Sequence, residues 1–242
     1  MGRLLLLRHA QSEWNAAGRW QGWADAPLSG LGRDQAREAG LALAGQRVVP
    51  GLVASSDLER ARSTAALIAQ QLGYLRPLHI EPDLREHDVG EWNGLTTDQI
   101  NARWPGQIEA LGARTLDGFP GGEKLAAFAA RARRGALQMA RHAYGERVGD
   151  VIVVSHGGAI TAIEQWLGIW RRERRHPNLS GWWLAVTGRP PELGLRPVAA
   201  VQLLSPGLVA TAPGAALTGG PAAPTAGLGA GGADDGAVTE VA

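Results

Sequence analysis

Leu4-Leu5-Leu6-Leu7 stand directly before Arg8 and His9, with no room ahead of them in the sequence for a helical turn. A short, uninterrupted apolar run of this kind predicts a strand in a sheet covered on both faces, as in α/β folds. The run stops abruptly on an always-charged guanidinium and an imidazole. Open α/β sheets bind their ligands in the crevice beyond the carboxyl ends of the strands, which makes Arg8 and His9 candidates for a site. Taken alone, a salt-bridged arginine and a hydrogen-bonded histidine at a strand edge are the favoured account of such a pair.

A second stretch repeats the arrangement. Val151-Ile152-Val153-Val154 predicts another buried strand, and it ends on Ser155-His156-Gly157-Gly158, where a helix begins with Ile160, Ile163, Trp166 and Leu167 on its inner face. Two buried strands thus deliver a histidine each to one edge of one sheet. Paired histidines suit a metal, but a metal site wants three or four ligands, usually with carboxylates among them. Here an arginine accompanies one histidine and a glycine-rich helix start the other, and cationic groups with free backbone N–H donors attract an anion instead. The chain contains no cysteine, which excludes a disulfide framework, a thiolate nucleophile and a cysteine-ligated metal.

The intervening chain reads as alternating strands and helices. Residues 16–31 form a long loop rich in Gly, Pro and Trp; Ser29 caps a helix to about Gln46 with Leu31, Ala39 and Leu43 on its inner face. A strand at Leu52–Ser55 precedes a helix with Ala61, Ala65, Ile68 and Leu72 as its stripe. A third strand near Leu78–Ile80 leads to a loop dense in ionisable groups, Leu84 to Gly94. Thr96 or Thr97 caps a short helix, residues 105–122 are irregular, and Leu125, Phe128, Ala132, Ala136, Met139 and Ala143 line a helix to about Tyr144. Two closing strands, 182–186 and 198–204, flank a Gly-Arg-Pro-Pro turn region. From Ser205 to Ala242, Pro, Gly, Ala and Thr dominate without period, the composition of a disordered tail. A net charge of +1 gives no electrostatic pull toward nucleic acid or membrane. The apolar run ending at Leu7 is too short for a secretory core of roughly 7–15 residues, and none approaches the roughly 18 needed to span a bilayer. The expected compartment is the cytoplasm.

Five separated segments, taken in order, resemble the histidine phosphatase superfamily in its phosphoglycerate-mutase-like branch. They are Arg8-His9 with Asn15; the loop Gly22 through Gly32; Ser56-x-Leu58-x-Arg60-Ala61-x-x-Thr64-Ala65; Leu84-Arg85-Glu86 with Gly90, Trp92 and Gly94; and Ser155-His156-Gly157-Gly158. A looser sixth is Pro120-Gly121-Gly122-Glu123. The resemblance implies a three-layer α/β/α sandwich around a mostly parallel sheet over residues 1–204, with an insertion at about 85–122 over the active site. It implies His9 as a nucleophile that carries the phosphoryl group as phosphohistidine, dividing one hard displacement into two. Arg8 and Arg60 would grip the phosphoryl oxygens, His156 would donate a further bond, and Glu86 would protonate the leaving group and then activate water. Asn15, Gln21 and Gly157 complete the implied phosphate-contacting set. The implied substrate is a small phosphomonoester, with no metal and no other cofactor; a homodimer is left open.

Each residue has a plainer reading. Arg60 would be a surface residue in the first turn of its helix, Glu86 one solvated charge among Arg85, His87 and Asp88, Asn15 a turn residue, and His156 a cap for the helix after it. Two departures stand out: Ala10 where the family usually has glycine, and Lys124 where it often has serine. Ala10 is strained by roughly 1–2 kcal/mol only if that position needs a positive φ. A phosphoglycerate mutase is the alternative activity, and a phosphate-binding scaffold without catalysis a further one. Against the mutase, the segment Thr96–Phe119 holds only Arg103 and Arg114 as cations, whereas the mutases share a basic, proline-rich segment there. Trp14, Trp20, Trp23, Trp92 and Trp104 fall in loops around the crevice, where aromatic walls suit a sugar; ordinary loop packing is the competing account.

Overall fold

The computed structural model describes residues 2–113, 115–145, 149–174 and 176–204; the expected tail, Arg114 and Arg175 lie outside them. The chain runs β1 (Arg3–Arg8), α1 (Glu13–Ala16), α2 (Gly30–Gly45), β2 (Pro50–Ser55), α3 (Glu59–Gln71), β3 (His79–Ile80), α4 (Thr97–Arg103), α5 (Gln107–Ala113), α6 (Leu125–Gly145), β4 (Asp150–Ser155), α7 (Gly157–Trp166), β5 (Ser180–Thr187) and β6 (Gly194–Gln202). Six strands form one sheet in the order β3-β2-β4-β1-β5-β6; the first four are mutually parallel, β5 pairs antiparallel with β1, and β6 pairs antiparallel with β5.

The leucine run explains the layering. Side chains alternate across a strand, so Leu4 and Leu6 enter a core with Phe128, Met139, Ile160 and Ile163 of α6 and α7. Leu5 and Leu7 enter a separate core with Ala39 and Leu43 of α2 and Ala61, Ala65 and Ile68 of α3. Each such leucine contributes about 1.5–3 kcal/mol on burial, and both faces of the sheet are sealed by helices.

Local signals set the helix starts. Ser29 accepts a bond from the Gly32 N–H at 2.9 Å and begins α2. Thr96 caps α4 in a reciprocal box with Gln99. Two expectations need correction. Leu31 is 37% exposed, because it sits in the first turn of α2, outside the face that meets the sheet. The stretch expected to be irregular contains α5, whose Ile108 packs into a third small core with Trp20, Val89, Trp92, Ile100 and Phe119. Trp20 and Trp92 are therefore the filling of that core and not crevice walls, and Trp104 packs partly buried against it.

Candidate active site

The register of the two central strands assembles the site. β1 and β4 pair from Leu4 opposite Val151 to Arg8 opposite Ser155, so the next residue of each, His9 and His156, emerge side by side. Their rings lie 5.1 Å apart between centroids. The His9 N–H donates to the Ser155 carbonyl at 2.9 Å, which extends the ladder by one bond and fixes both residues at the sheet edge.

His9 is fully enclosed and its ring is oriented. Nδ1 lies 2.7 Å from the Ala10 carbonyl, an acceptor only, so Nδ1 carries the proton and Nε2 keeps its lone pair. Arg60 Nε–H points at that lone pair from 3.3 Å. Burial, reinforced by Arg60 and then Arg8, pushes the imidazole well below its usual pKa, while the bond to Ala10 opposes the shift. A neutral imidazole with a free Nε2 is the form required of a nucleophile. Ala10 is buried and absent from the positive-φ residues, so it is unstrained where the family has glycine. Its N–H donates to Thr64 Oγ1 at 3.0 Å.

Two arginines bracket His9. Arg60, near the start of α3, is fully buried and spends one N–H each on the Ala24 and Gly22 carbonyls, both at 2.8 Å. Burial lowers its pKa to about 10, which still leaves it cationic at neutral pH. Three of its five N–H groups are placed within the protein, and two remain for an anion. Arg8 donates through Nη1 to the His176 carbonyl at 2.5 Å, and its buried Nε has no partner among the described residues.

His156 stands at the N-cap position of α7 yet makes no side-chain cap bond. Its Nε2 is 2.6 Å from Ser56 Oγ, and Ser56 Oγ also accepts, weakly, from the Leu58 N–H. With the hydroxyl proton directed to Nε2, the ring proton sits on Nδ1, a second buried nitrogen without a partner. Burial, then Arg60 and His9, hold this ring neutral as well. Arg8 Nε and His156 Nδ1 are thus two buried donors near His9 with no partner among the described residues, available to an anion.

Glu86 closes the site from the side of α7. Its Oε2 accepts from the Gly158 N–H at 3.0 Å and its Oε1 from the His87 N–H at 2.9 Å. A Cβ at position 158 would fall 2.2 Å from Oε1, which is why the second residue of the helix is glycine. Arg131, missed in the sequence, spends all five donors here: on Glu123 twice, and on the carbonyls of Asp83, Arg85 and Glu86, at 2.7–3.1 Å. Glu123 of the Gly-Gly-Glu segment thus clamps the Glu86 loop through Arg131, while Lys124 pairs with Asp117 on the surface. Trp23 Nε1 donates to the Glu86 carbonyl at 2.9 Å.

The remaining expected contacts are less uniform. Asn15 Oδ1 accepts from the Ser12 N–H at 3.3 Å and from Asn178 Nδ2 at 3.4 Å, which turns its amide N–H groups the other way. Gln21 is tied to the Ser12 hydroxyl at 2.8–3.0 Å. Gly157 supplies a backbone position at the first turn of α7. Among the described residues no cluster of three His, Asp or Glu side chains is placed to hold a metal ion, and no helix is long and apolar enough to cross a membrane.

Comparison with known proteins identifies the family. The model of the histidine phosphatase superfamily (branch 1) matches residues 4–193. A glucosyl-3-phosphoglycerate phosphatase of Mycolicibacterium vanbaalenii is 37% identical over 165 residues, 66% of this chain and 72% of that protein. A 2,3-bisphosphoglycerate-dependent phosphoglycerate mutase of Methylorubrum populi is 38% identical over 169 residues, 67% of this chain and 78% of that one. The structure of a mycobacterial glucosyl-3-phosphoglycerate phosphatase complexed with VO3 superposes with a TM-score of 0.71 at 31% identity, covering 82% of this chain and 98% of that one. The chain belongs to the histidine phosphatase superfamily, branch 1.

Proposed function

We propose that the chain hydrolyses a small phosphosugar or phosphoglycerate derivative of the glucosyl-phosphoglycerate type through a phosphohistidine at His9, without a metal. The observation that carries the mechanism is the neutral His9 ring, whose unprotonated Nε2 accepts only a long bond from Arg60 and has two unspent buried donors nearby. Nε2 attacks phosphorus as the ester oxygen leaves. Arg8, Arg60, the His156 Nδ1–H and the Asn15 amide take the equatorial oxygens, supplying the charge neutralisation on which phosphoryl transfer depends. Glu86 delivers a proton to the departing alkoxide and then removes one from the water that attacks the phosphohistidine, a role worth roughly 10²–10⁴ in rate. A scaffold for anion binding has no use for a carboxylate held beside its anion site.

Support for hydrolysis over the mutase reaction comes from the segment between the Glu86 loop and Glu123. Arg103, the one cation among its described residues, is exposed on α4, and the apolar residues Ile100, Trp104, Ile108 and Phe119 of the segment pack on the tryptophan core. The substrate class rests on the glucosyl-3-phosphoglycerate phosphatase relatives. The reading places the enzyme in the cytoplasm and calls for no nucleic-acid or membrane partner. The test is phosphate release from a panel of phosphomonoesters in EDTA, including glucosyl-3-phosphoglycerate, with 3-phosphoglycerate as a mutase check. Hydrolysis of a sugar-bearing ester in preference to simple alkyl phosphates is expected; isomerisation of 3-phosphoglycerate without phosphate release would overturn the reading.

A further inference from the structure

The main chain around His9 is held from a part of the sequence that carries none of the motifs above. Because His9 Nδ1 is bound to the Ala10 carbonyl, the direction of Nε2 follows the backbone of residues 8–10. Four of that backbone's polar groups are fixed from other elements. His9 N–H goes to Ser155 and Ala10 N–H to Thr64. The other two come from one short segment: the Leu179 N–H donates to the Arg8 carbonyl at 3.1 Å, and Asn178 Nδ2 donates to the His9 carbonyl at 2.8 Å. The same segment supplies the His176 carbonyl that accepts from Arg8 Nη1. Asn178 also reaches Asn15 Oδ1 at 3.4 Å, so one amide touches both the nucleophile's peptide and a phosphate-facing side chain.

Leu179 adopts φ +57 with a fully buried side chain. A non-glycine residue there costs roughly 1–2 kcal/mol, and such outliers persist where the surroundings over-determine them, often at functional sites. The turn sends Leu179 into the core beside Leu5 and Leu7 while its neighbour's amide reaches His9. Both ends of the segment are anchored. Leu203 N–H and Gln202 Nε2 donate to the Leu179 and Asn178 carbonyls at 3.1 and 3.2 Å. Upstream, His176 Nε2 meets Glu164 Oε2 at 3.2 Å, and the buried Glu164 also accepts from Trp182 Nε1 at 2.7 Å and Arg174 at 3.2 Å. Glu164 belongs to α7, whose first turn holds Glu86.

We propose that residues 176–179 form a strap that aims the nucleophile, with Asn178 as the positioning residue that sets the direction of His9 Nε2 and the amide orientation of Asn15. The inference rests on His9 being the nucleophile. Asn178→Ala removes the donor, and Asn178→Asp keeps its size while setting a carboxylate oxygen against the His9 carbonyl. In each, kcat for p-nitrophenyl phosphate and the rapid-quench rate of phosphoenzyme formation should fall about 10- to 100-fold with KM little changed, the scale of a nucleophile displaced by about 1 Å. A folded variant with kcat within about twofold of wild type would overturn the proposal. Loss of the folded circular-dichroism signal in both would assign Asn178 to stability alone and overturn it too. His9→Ala, run alongside, separates the two ideas: activity retained there would remove the nucleophile assignment itself.

Discussion

Gly158→Ala tests the proton-transfer half of the account with little disturbance elsewhere. The new Cβ would lie 2.2 Å from Glu86 Oε1 and 3.0 Å from Cδ, whereas ordinary contact begins near 3.4 Å, so the carboxylate must retreat by about 1.2 Å. It is the free end of a flexible side chain and can do so. Stability should change little: alanine in the first turn of α7 gains up to about 1 kcal/mol over glycine, which offsets part of the roughly 1.5–3 kcal/mol of a hydrogen bond to a charged group. The catalytic effect is large by comparison, because displacement on the ångström scale costs about 100-fold in rate. For an alkyl phosphate, whose alkoxide needs a proton, kcat should fall by about that factor. For p-nitrophenyl phosphate the leaving group departs without help but the phosphohistidine still needs activated water. Stopped flow should then show a burst of about one equivalent of nitrophenol followed by slow turnover. Wild-type turnover of both esters in a folded variant would refute the role given to Glu86.

Other perturbations address the supporting structure. Arg131→Ala strands a largely buried Glu123 and frees three carbonyls, so urea denaturation should register a loss of about 3–5 kcal/mol. An unchanged midpoint would contradict the clamp. Ala10→Gly should keep activity and lose up to about 1 kcal/mol, since the position is not left-handed; a gain in stability would show hidden strain. His9, His156 and His87 are all held neutral chiefly by burial, and the unfolded chain binds protons that the folded one refuses below about pH 6.5. Stability should therefore be intact above that pH and fall between pH 6.5 and 5, by about 1.4 kcal/mol per unit for each group until its folded pKa is reached. A flat urea midpoint over that window would contradict their neutrality.

The parts of this site that were legible in the sequence are those whose chemistry is local. Four leucines read as a two-faced strand, Ser29 announces a helix, Arg8 ends one buried strand, and His9 and His156 each follow one directly. Glu86 was legible only through resemblance, because the contact that places it against α7 is with a backbone N–H more than seventy residues away. Arg131 lies on an amphipathic helix where an arginine ordinarily reads as solvated, and its carbonyl partners exist only once the Glu86 loop is folded against it. Asn178 was not singled out, because its contact with the His9 carbonyl joins residues far apart in the sequence. The tryptophans misled for a related reason: aromatic residues in Gly-rich loops announce burial without saying against what, and here Trp20 and Trp92 bury against each other.

The central claim, that phosphorus passes through His9 Nε2, is tested most directly by trapping it. Wild-type enzyme and Glu86→Gln, mixed with a labelled phosphomonoester in EDTA and quenched in alkali, should yield label on the peptide containing His9 that is stable to base and released by acid, with more of it in Glu86→Gln. Turnover with no labelled protein in either enzyme, or label that stays in His9→Ala, would contradict it.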